Sequence, residues 1–234
     1  MTVLKHTVVY DASVSSKAAA SSVDEPRRAY KSSRRAQQAA QTRQDVLAAA
    51  TRLYASSGWA KTTINAIAAE AGVAVETVYS GFGSKKALLR AAIDAAVVGD
   101  TEPVPLADRD EFKALGRGSR AERLDAAVEF QSRIHERSAG VWSAVIEASA
   151  ADDEIASWRL ELERGRRVDA RRGAELILGH EIDDATADLL WVLFGPEVFI
   201  KLTTDLGWSV DEYRALMREA VVRISPPRRP GKST

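Results

Sequence analysis

The chain has no cysteine, two methionines and three histidines. Without cysteine there can be no disulfide and no thiolate nucleophile. His6, His135 and His180 stand far apart, and the His180-Glu181 pair lacks the second histidine of a zinc-protease helix. No metal site is expected, and no cofactor. The terminal Gly231–Thr234 run, GKST, has neither the strand nor the glycine spacing of a phosphate-binding loop. The paired acids Asp152/Asp153 and Asp183/Asp184 sit where helices start, which explains them better than a catalytic dyad. These absences leave little room for an enzyme. No apolar run reaches 18 residues, so no membrane span is expected. The first 16 residues lack a long apolar core ahead of a small-residue cleavage site. A cytoplasmic protein is the expectation. Beta alternation and internal repeats are also missing, and the pattern that remains is helical.

Of 234 residues, 45% are apolar, and the net charge is zero. The zero hides an asymmetry. Residues 1–94 carry 13 Lys and Arg against 7 Asp and Glu, and the remainder carries 20 against 26. A basic N-terminal part on an acidic remainder suits a local polyanion-binding surface. Residues 1–37 read as a flexible basic extension. Six Lys or Arg and no acid lie from Arg27 to Arg43. The segment reads either as a solvated tail or as an arm that follows a phosphate backbone or enters a minor groove.

Helical periodicity starts near Gln38. Val46, Leu47, Ala50, Leu53 and Tyr54 form one apolar stripe, and Gly58 stops it in a left-handed conformation. Thr62 is the expected N-cap of a second helix carrying Ile64, Ile67 and Ala68, which stops at Gly72. Val75, Val78 and Phe82 anchor a third. Ser84 caps a fourth, with Leu88, Leu89 and Ile93 inward. Residues 38–98 thus form a trihelical helix-turn-helix domain. From Gly99 to Gly118 the chain reads as a loop. Helices are then expected over Ala121–His135, Ala139–Ala148, Asp153–Ile177 and Ala185–Leu206, with Pro196 bending the last near Val192. Asp184 is its expected cap. Ser209 with Glu212 has capping-box spacing and starts a helix from Val210 to Arg223. The expectation is an all-α protein of about nine helices, with a larger C-terminal helical domain over 99–225 and a disordered tail over 226–234.

A helix, a tight glycine turn and a short second helix make a helix-turn-helix candidate, and the same pattern also fits a plain trihelical bundle in which Gly72 serves packing alone. Between its anchors the third helix offers Glu76, Thr77 and Ser80. Thr77 can bond a base edge or set its methyl against thymine. Tyr79 can reach a phosphate. Thr62 and Thr63 lie where hydroxyls and free amides suit phosphate contact. Lys85 sits in the first turn of the fourth helix, where a cation opposes the macrodipole but suits DNA. Lys86 adds charge beside it, and Arg43 closes the basic segment.

The stretch TRQDVLAAATRLYASSGWAKTTINAIAAEAGVAVETVYSGFGSKKALLRAAI resembles the DNA-binding domain of the TetR family of transcriptional regulators. The resemblance rests on Tyr54-x-x-x-Gly58-Trp59, Thr62-Thr63-Ile64, Ile67-Ala68-x-x-Ala71-Gly72-Val73, Thr77-Val78-Tyr79, Phe82, Ser84-Lys85 and Leu88-Leu89. It covers about 50 residues. It implies a homodimer on a palindromic operator, usually a repressor released by a ligand of the C-terminal domain. It also implies phosphate contacts for Thr63, Tyr79 and Lys85, and a base or backbone contact for Thr77. Ala74 departs from the usual capping Ser or Thr, Gly81 from a larger polar residue, Gly83 from proline or a charged residue, and Lys86 from an acid. Gly81 loosens the third helix. A dimeric interaction scaffold with no selected DNA site is the competing reading.

In the C-terminal part, residues 183–213 resemble the last two helices of certain family members, which build a four-helix dimer interface. Leu189, Val192, Leu193, Phe199 and, on the last helix, Leu216 are the interface residues expected. The apolar arc is broad enough for one side to meet its own domain and the other a second copy. His135, Trp142, Trp158, Trp191 and Phe194 are candidates to line an effector pocket, with Glu147 and Arg159 as further polar groups. The same aromatics can equally fill a core. No effector can be named.

Overall fold

The computed structural model describes residues 25–100, 102 and 104–225, with side chains from residue 34 onward. Most of the basic extension and the C-terminal tail lie outside the described residues. Among the described residues every regular element is helical: α1 (Glu25–Lys61), α2 (Ile64–Ala71), α3 (Val75–Phe82), α4 (Lys85–Val98), α5 (Asp110–Ala114), α6 (Arg120–Ser149), α7 (Asp153–Leu178), α8 (Asp184–Leu193), α9 (Pro196–Ile200) and α10 (Val210–Ile224). A 3-10 turn, Leu106–Asp108, precedes α5, and a π-helical turn, Lys201–Asp205, follows α9.

Helix α1 starts well ahead of Gln38, so residues 25–37 are helical, not part of a loose extension. At its other end it breaks at Gly58, whose φ of 74° and ψ of −177° are non-helical. The φ is positive as expected, but ψ is extended, not left-handed helical. A side chain there would meet more than backbone strain. A Cβ on Gly58 would sit 2.6 Å from Glu147 Oε2.

The first core cluster holds Val46, Tyr54, Ile67, Val78, Leu88, Leu89 and Ile93 from α1–α4, together with Val141, Val145 and Ala148 of α6 and Ile155 of α7. The division expected at residues 98 and 99 is therefore crossed by one continuous core. Helix α6 is the spine. It runs unbroken where two helices were expected, and α1 makes its most extensive packing against it. Gly140, in mid-helix, is a point of close approach to α1. A Cβ added to Gly140 would lie 2.4 Å from Ala55 Cβ and 2.8 Å from Ala55 Cα.

The expected loop over 99–118 contains α5. Phe112 is buried, with its ring edge-on to Phe130 at 6.2 Å, and the pair nucleates a small satellite core. A short helix with one large anchor gives too little periodicity to read from sequence. The single helix expected over 185–206 is three pieces. Asp183, not Asp184, caps α8, its side chain accepting from Thr186 N at 2.7 Å. Pro196 does not bend the helix but begins a new one, after Gly195. A proline at the first helical position lacks only an amide that would have no partner there. Ser84 caps α4, and the Ser209–Glu212 capping box starts α10.

The second cluster gathers Leu124, Val128, Leu178, Leu190, Phe199, Tyr213 and Met217 from α6–α10. His135 is buried inside it. Gln131 Nε2 lies 2.9 Å from His135 Nε2, and an amide nitrogen can only donate, so Nδ1–H is left to face Tyr213 Oη at 3.2 Å. Burial holds the imidazole pKa down to about 3, with the Arg166 charge adding to the effect. This is a neutral core histidine.

Candidate nucleic-acid interface

Four local devices shape the DNA-binding candidate. First, Thr62 and Thr63 divide their work. Thr62 is buried and its hydroxyl donates to Gly58 O at 2.7 Å, with Leu53 O at 3.1 Å. It is not the cap, and it is turned away from any phosphate. Thr63 is the N-cap of α2, accepting from Ala66 N at 3.1 Å, and it is exposed. Two adjacent threonines look alike in sequence, and the choice depends on where the Gly58 break sends the chain.

Second, Gly72 ends α2 with φ 68° and ψ 31°, its amide shared between Ala68 O and Ala69 O. This left-handed cap costs little only for glycine. It turns the chain into α3. Third, α3 has one fully buried anchor, Val78, while Glu76, Thr77, Tyr79 and Ser80 are exposed. Tyr79 is 52% exposed, unusual for a tyrosine with a core beneath it. As the sequence suggests, Ala74 supplies no side-chain cap to α3.

Fourth, the cations expected to face DNA are held within the chain. Lys85 Nζ donates to Trp59 O at 2.6 Å and lies 3.9 Å from the Trp59 ring centroid. Desolvation lowers its pKa, and the Glu147 charge opposes the shift. Lys86 pairs with Asp152 at 2.6 Å and Glu154 at 3.0 Å, at the start of α7. Hydrogen bonds to those carboxylates raise its pKa. Arg43 Nη1 donates to Gly81 O at 3.0 Å, and its guanidinium lies over Phe82 at 4.3 Å. The expected phosphate ligands Arg43, Lys85 and Lys86 thus brace α3, the Gly58 turn and α7. Helix spacing shows where a lysine starts but not which carbonyl or carboxylate waits in another element.

Glu147 of α6 carries the other junction contact. Its carboxylate accepts from Trp59 N at 2.7 Å and Ala60 N at 3.1 Å. The turn that leads into α2 is therefore held from the C-terminal side. Beside it lies a cleft of about 210 Å³, lined by Tyr54, Gly58, Gly140, Ser143, Glu147 and Thr204 among others. His135, Trp142, Trp158, Trp191 and Phe194 do not line it. They are spread through the domain instead. Trp142 Nε1 donates to Glu197 at 2.8 Å, Trp191 Nε1 to Glu163 at 3.1 Å, and Trp158 lies under Arg90. Phe194 is packed against the second cluster. Of the candidate interface residues, Leu189 and Val192 are half-exposed on α8. Phe199 is instead buried in its own chain, edge-on to Tyr213 at 5.0 Å, and Leu193 and Leu216 pack on the same cluster.

The arrangement defines an all-α protein with an N-terminal helix-turn-helix domain and a larger helical domain behind it. Residues 46–92 match the sequence profile of the bacterial regulatory proteins of the tetR family. The helix-turn-helix unit over residues 46–92 is thus similar to the DNA-binding domain of that family. No curated protein matches the chain in sequence. Solved structures share its fold. A TetR-like transcriptional regulator from Rhodococcus sp. RHA1 is 21% identical, with a TM-score of 0.54, over 78% of this chain and 94% of that one. A transcriptional regulator of the TerR/AcrR family from Aquifex aeolicus VF5 is 15% identical, with a TM-score of 0.56, over 79% and 99%. A transcriptional regulator from Streptomyces coelicolor A3(2) is 23% identical, with a TM-score of 0.53, over 80% and 99%.

Proposed function

We propose that the protein is a homodimeric, ligand-responsive repressor that binds a palindromic operator in the cytoplasm. The observation that carries the reading is α3. It keeps Val78 in the core and turns Thr77, Tyr79 and Ser80 to solvent, the division a helix needs to enter a major groove. Thr77 reads bases, and Tyr79 and Thr63 clamp phosphates on either side. Residues 38–98 serve as the DNA-binding unit and 99–225 as the sensing and dimerising unit. Leu189 and Val192 offer an apolar strip on α8 for a second copy. An effector taken up by the helical domain reaches α3 through α6. Its Glu147 holds the turn before α2, and its Val141, Val145 and Ala148 share the core of α1–α4.

Capture of random genomic fragments by the purified protein, followed by sequencing, tests this. The expected result is a short inverted repeat with half-sites one helical turn apart, roughly 34–36 Å. Fragments enriched without a shared sequence would support a scaffold with nonspecific DNA affinity instead.

A further inference from the structure

The helix-turn-helix unit over residues 38–98 holds four acidic residues, Asp45, Glu70, Glu76 and Asp94. Three of them have partners. Asp45 accepts from Gln41 Nε2 at 2.9 Å, Glu70 pairs with Arg52 at 2.6 Å, and Asp94 with Arg90 at 3.6 Å. Among the described residues, the Glu76 carboxylate has neither a hydrogen bond nor an ion pair. It stands exposed in the first turn of α3.

Its place on the helix is equally telling. Val75, Val78 and Phe82 mark the inward side of α3. At 100° per residue, Glu76, Thr77 and Ser80 lie within about 60° of the opposite direction, with Tyr79 and Gly81 on the flanks. The carboxylate therefore enters a groove wherever Thr77 does. A groove edged with phosphates is a poor place for an unpaired carboxylate. Repulsion grows as water is displaced, and a charge desolvated without a partner is costly. An ionised carboxylate can only accept hydrogen bonds. In the major groove guanine shows it the acceptors N7 and O6, and thymine shows O4 and a methyl group. Adenine sets its N6 donor beside the N7 acceptor. Cytosine presents a donor, the N4 amino group, with no acceptor of its own on that edge.

We propose that Glu76 reads a cytosine by accepting from its N4 amino group, so that a C·G pair is specified at one position of each half-site. The inference rests on α3 being the reading helix. The carboxylate supplies selectivity more than attraction, because it makes the other bases at that position unfavourable. An acid here can also serve the protein alone, since it favours the helix N-terminus and Ala74 supplies no side-chain cap. That role predicts the same loss on every duplex, and the test separates the two.

Full-length wild type and Glu76→Ala are each put through selection on a random duplex library. Anisotropy then follows binding to three duplexes: the wild-type operator, the same operator with the C·G pair changed to T·A in one half-site, and a scrambled sequence. Wild type should select cytosine at one position of each half-site and lose roughly 5- to 100-fold in affinity on the T·A duplex. Glu76→Ala should select no base there and bind the C·G and T·A duplexes within about twofold of each other. On the scrambled duplex it should bind as tightly as wild type or more tightly, because a repulsive charge is gone. If wild type selects no operator, the reading of α3 fails. If it selects one, any of three results overturns the cytosine contact. Glu76→Ala keeps the wild-type base preferences at every position, or the position it releases holds another base, or it weakens operator and scrambled duplex alike.

Discussion

Two glycines in mid-helix should respond to alanine with opposite signs. In an ordinary helix interior, Gly→Ala gains about 1 kcal/mol. Gly165 in α7 has nothing within 4 Å of an added Cβ, so Gly165→Ala should gain about that much. At Gly140 the new Cβ would lie 2.4 Å from Ala55 Cβ, where carbon atoms prefer about 3.5–4.0 Å. Ala55 Cα is only 2.8 Å away, so no rotamer relieves the contact. Helices α1 and α6 must separate by about 1 Å, disturbing the packing of Val141, Ala144 and Tyr54 in the same cluster. Overpacking costs about 1–3 kcal/mol, and backbone on both sides argues for the upper end. The net for Gly140→Ala is a loss of about 1–2 kcal/mol, or about 2–8 °C in Tm for a chain of this size. Thermal unfolding followed by circular dichroism at fixed protein concentration measures it. Adding Ala55→Gly should recover most of the loss. A Tm that rises in Gly140→Ala as it does in Gly165→Ala would refute the close-crossing account of α6.

Other consequences follow from the same contacts. Thr62→Val leaves Gly58 O and Leu53 O without their donor and should cost about 1–2 kcal/mol in urea unfolding, whereas Thr62→Ser should cost less. His135 cannot take up a proton in the folded chain until pH nears about 3, whereas the unfolded chain does so below about 6.5. Stability should therefore be fully present above pH 6.5. Below it, this residue should withdraw up to about 1.4 kcal/mol per pH unit. If His135 is responsible, the urea midpoint of wild type should fall below pH 6.5 more steeply than that of His135→Leu. Gly81→Ala meets nothing within 4 Å and should stiffen α3, gaining about 0.5–1 kcal/mol and slowing amide exchange in Thr77–Phe82. Lys86→Ala should leave overall folding intact while raising exchange at the start of α7, where Asp152 and Glu154 lose their cation.

What could be read from the sequence was local. The Gly72 turn, the anchors of α3 and the caps at Ser84 and Ser209 each depend on residues a few positions apart, and those positions announce themselves. Misreadings arose where distant elements decide. The helix break expected between His135 and Ala139 is absent, because α6 runs on as the spine against which α1 packs. For Lys85, Lys86 and Arg43 the sequence could not show that Trp59 O, Asp152 and Gly81 O are brought to them. Phe199 reads as interface on a broad apolar arc, yet Tyr213 and His135 cover it. The aromatics proposed for one pocket lie on helices whose relative rotation no periodicity records. Pro196 is a case of right residue and wrong consequence: paired with Gly195, it starts a helix and leaves none to bend.

The central claim is that α3 reads DNA. Its most direct measurement is fluorescence anisotropy of the full-length protein on its selected operator and on a scrambled duplex, at two salt concentrations, with Thr77→Ala and Tyr79→Phe beside the wild type. Loss of Tyr79's hydroxyl should weaken both duplexes alike. Thr77→Ala should cost about 1–3 kcal/mol on the operator alone and so narrow the ratio between the two. Both variants should unfold at the wild-type temperature, since both side chains face solvent. Full operator affinity and an unchanged ratio in both variants would contradict the claim.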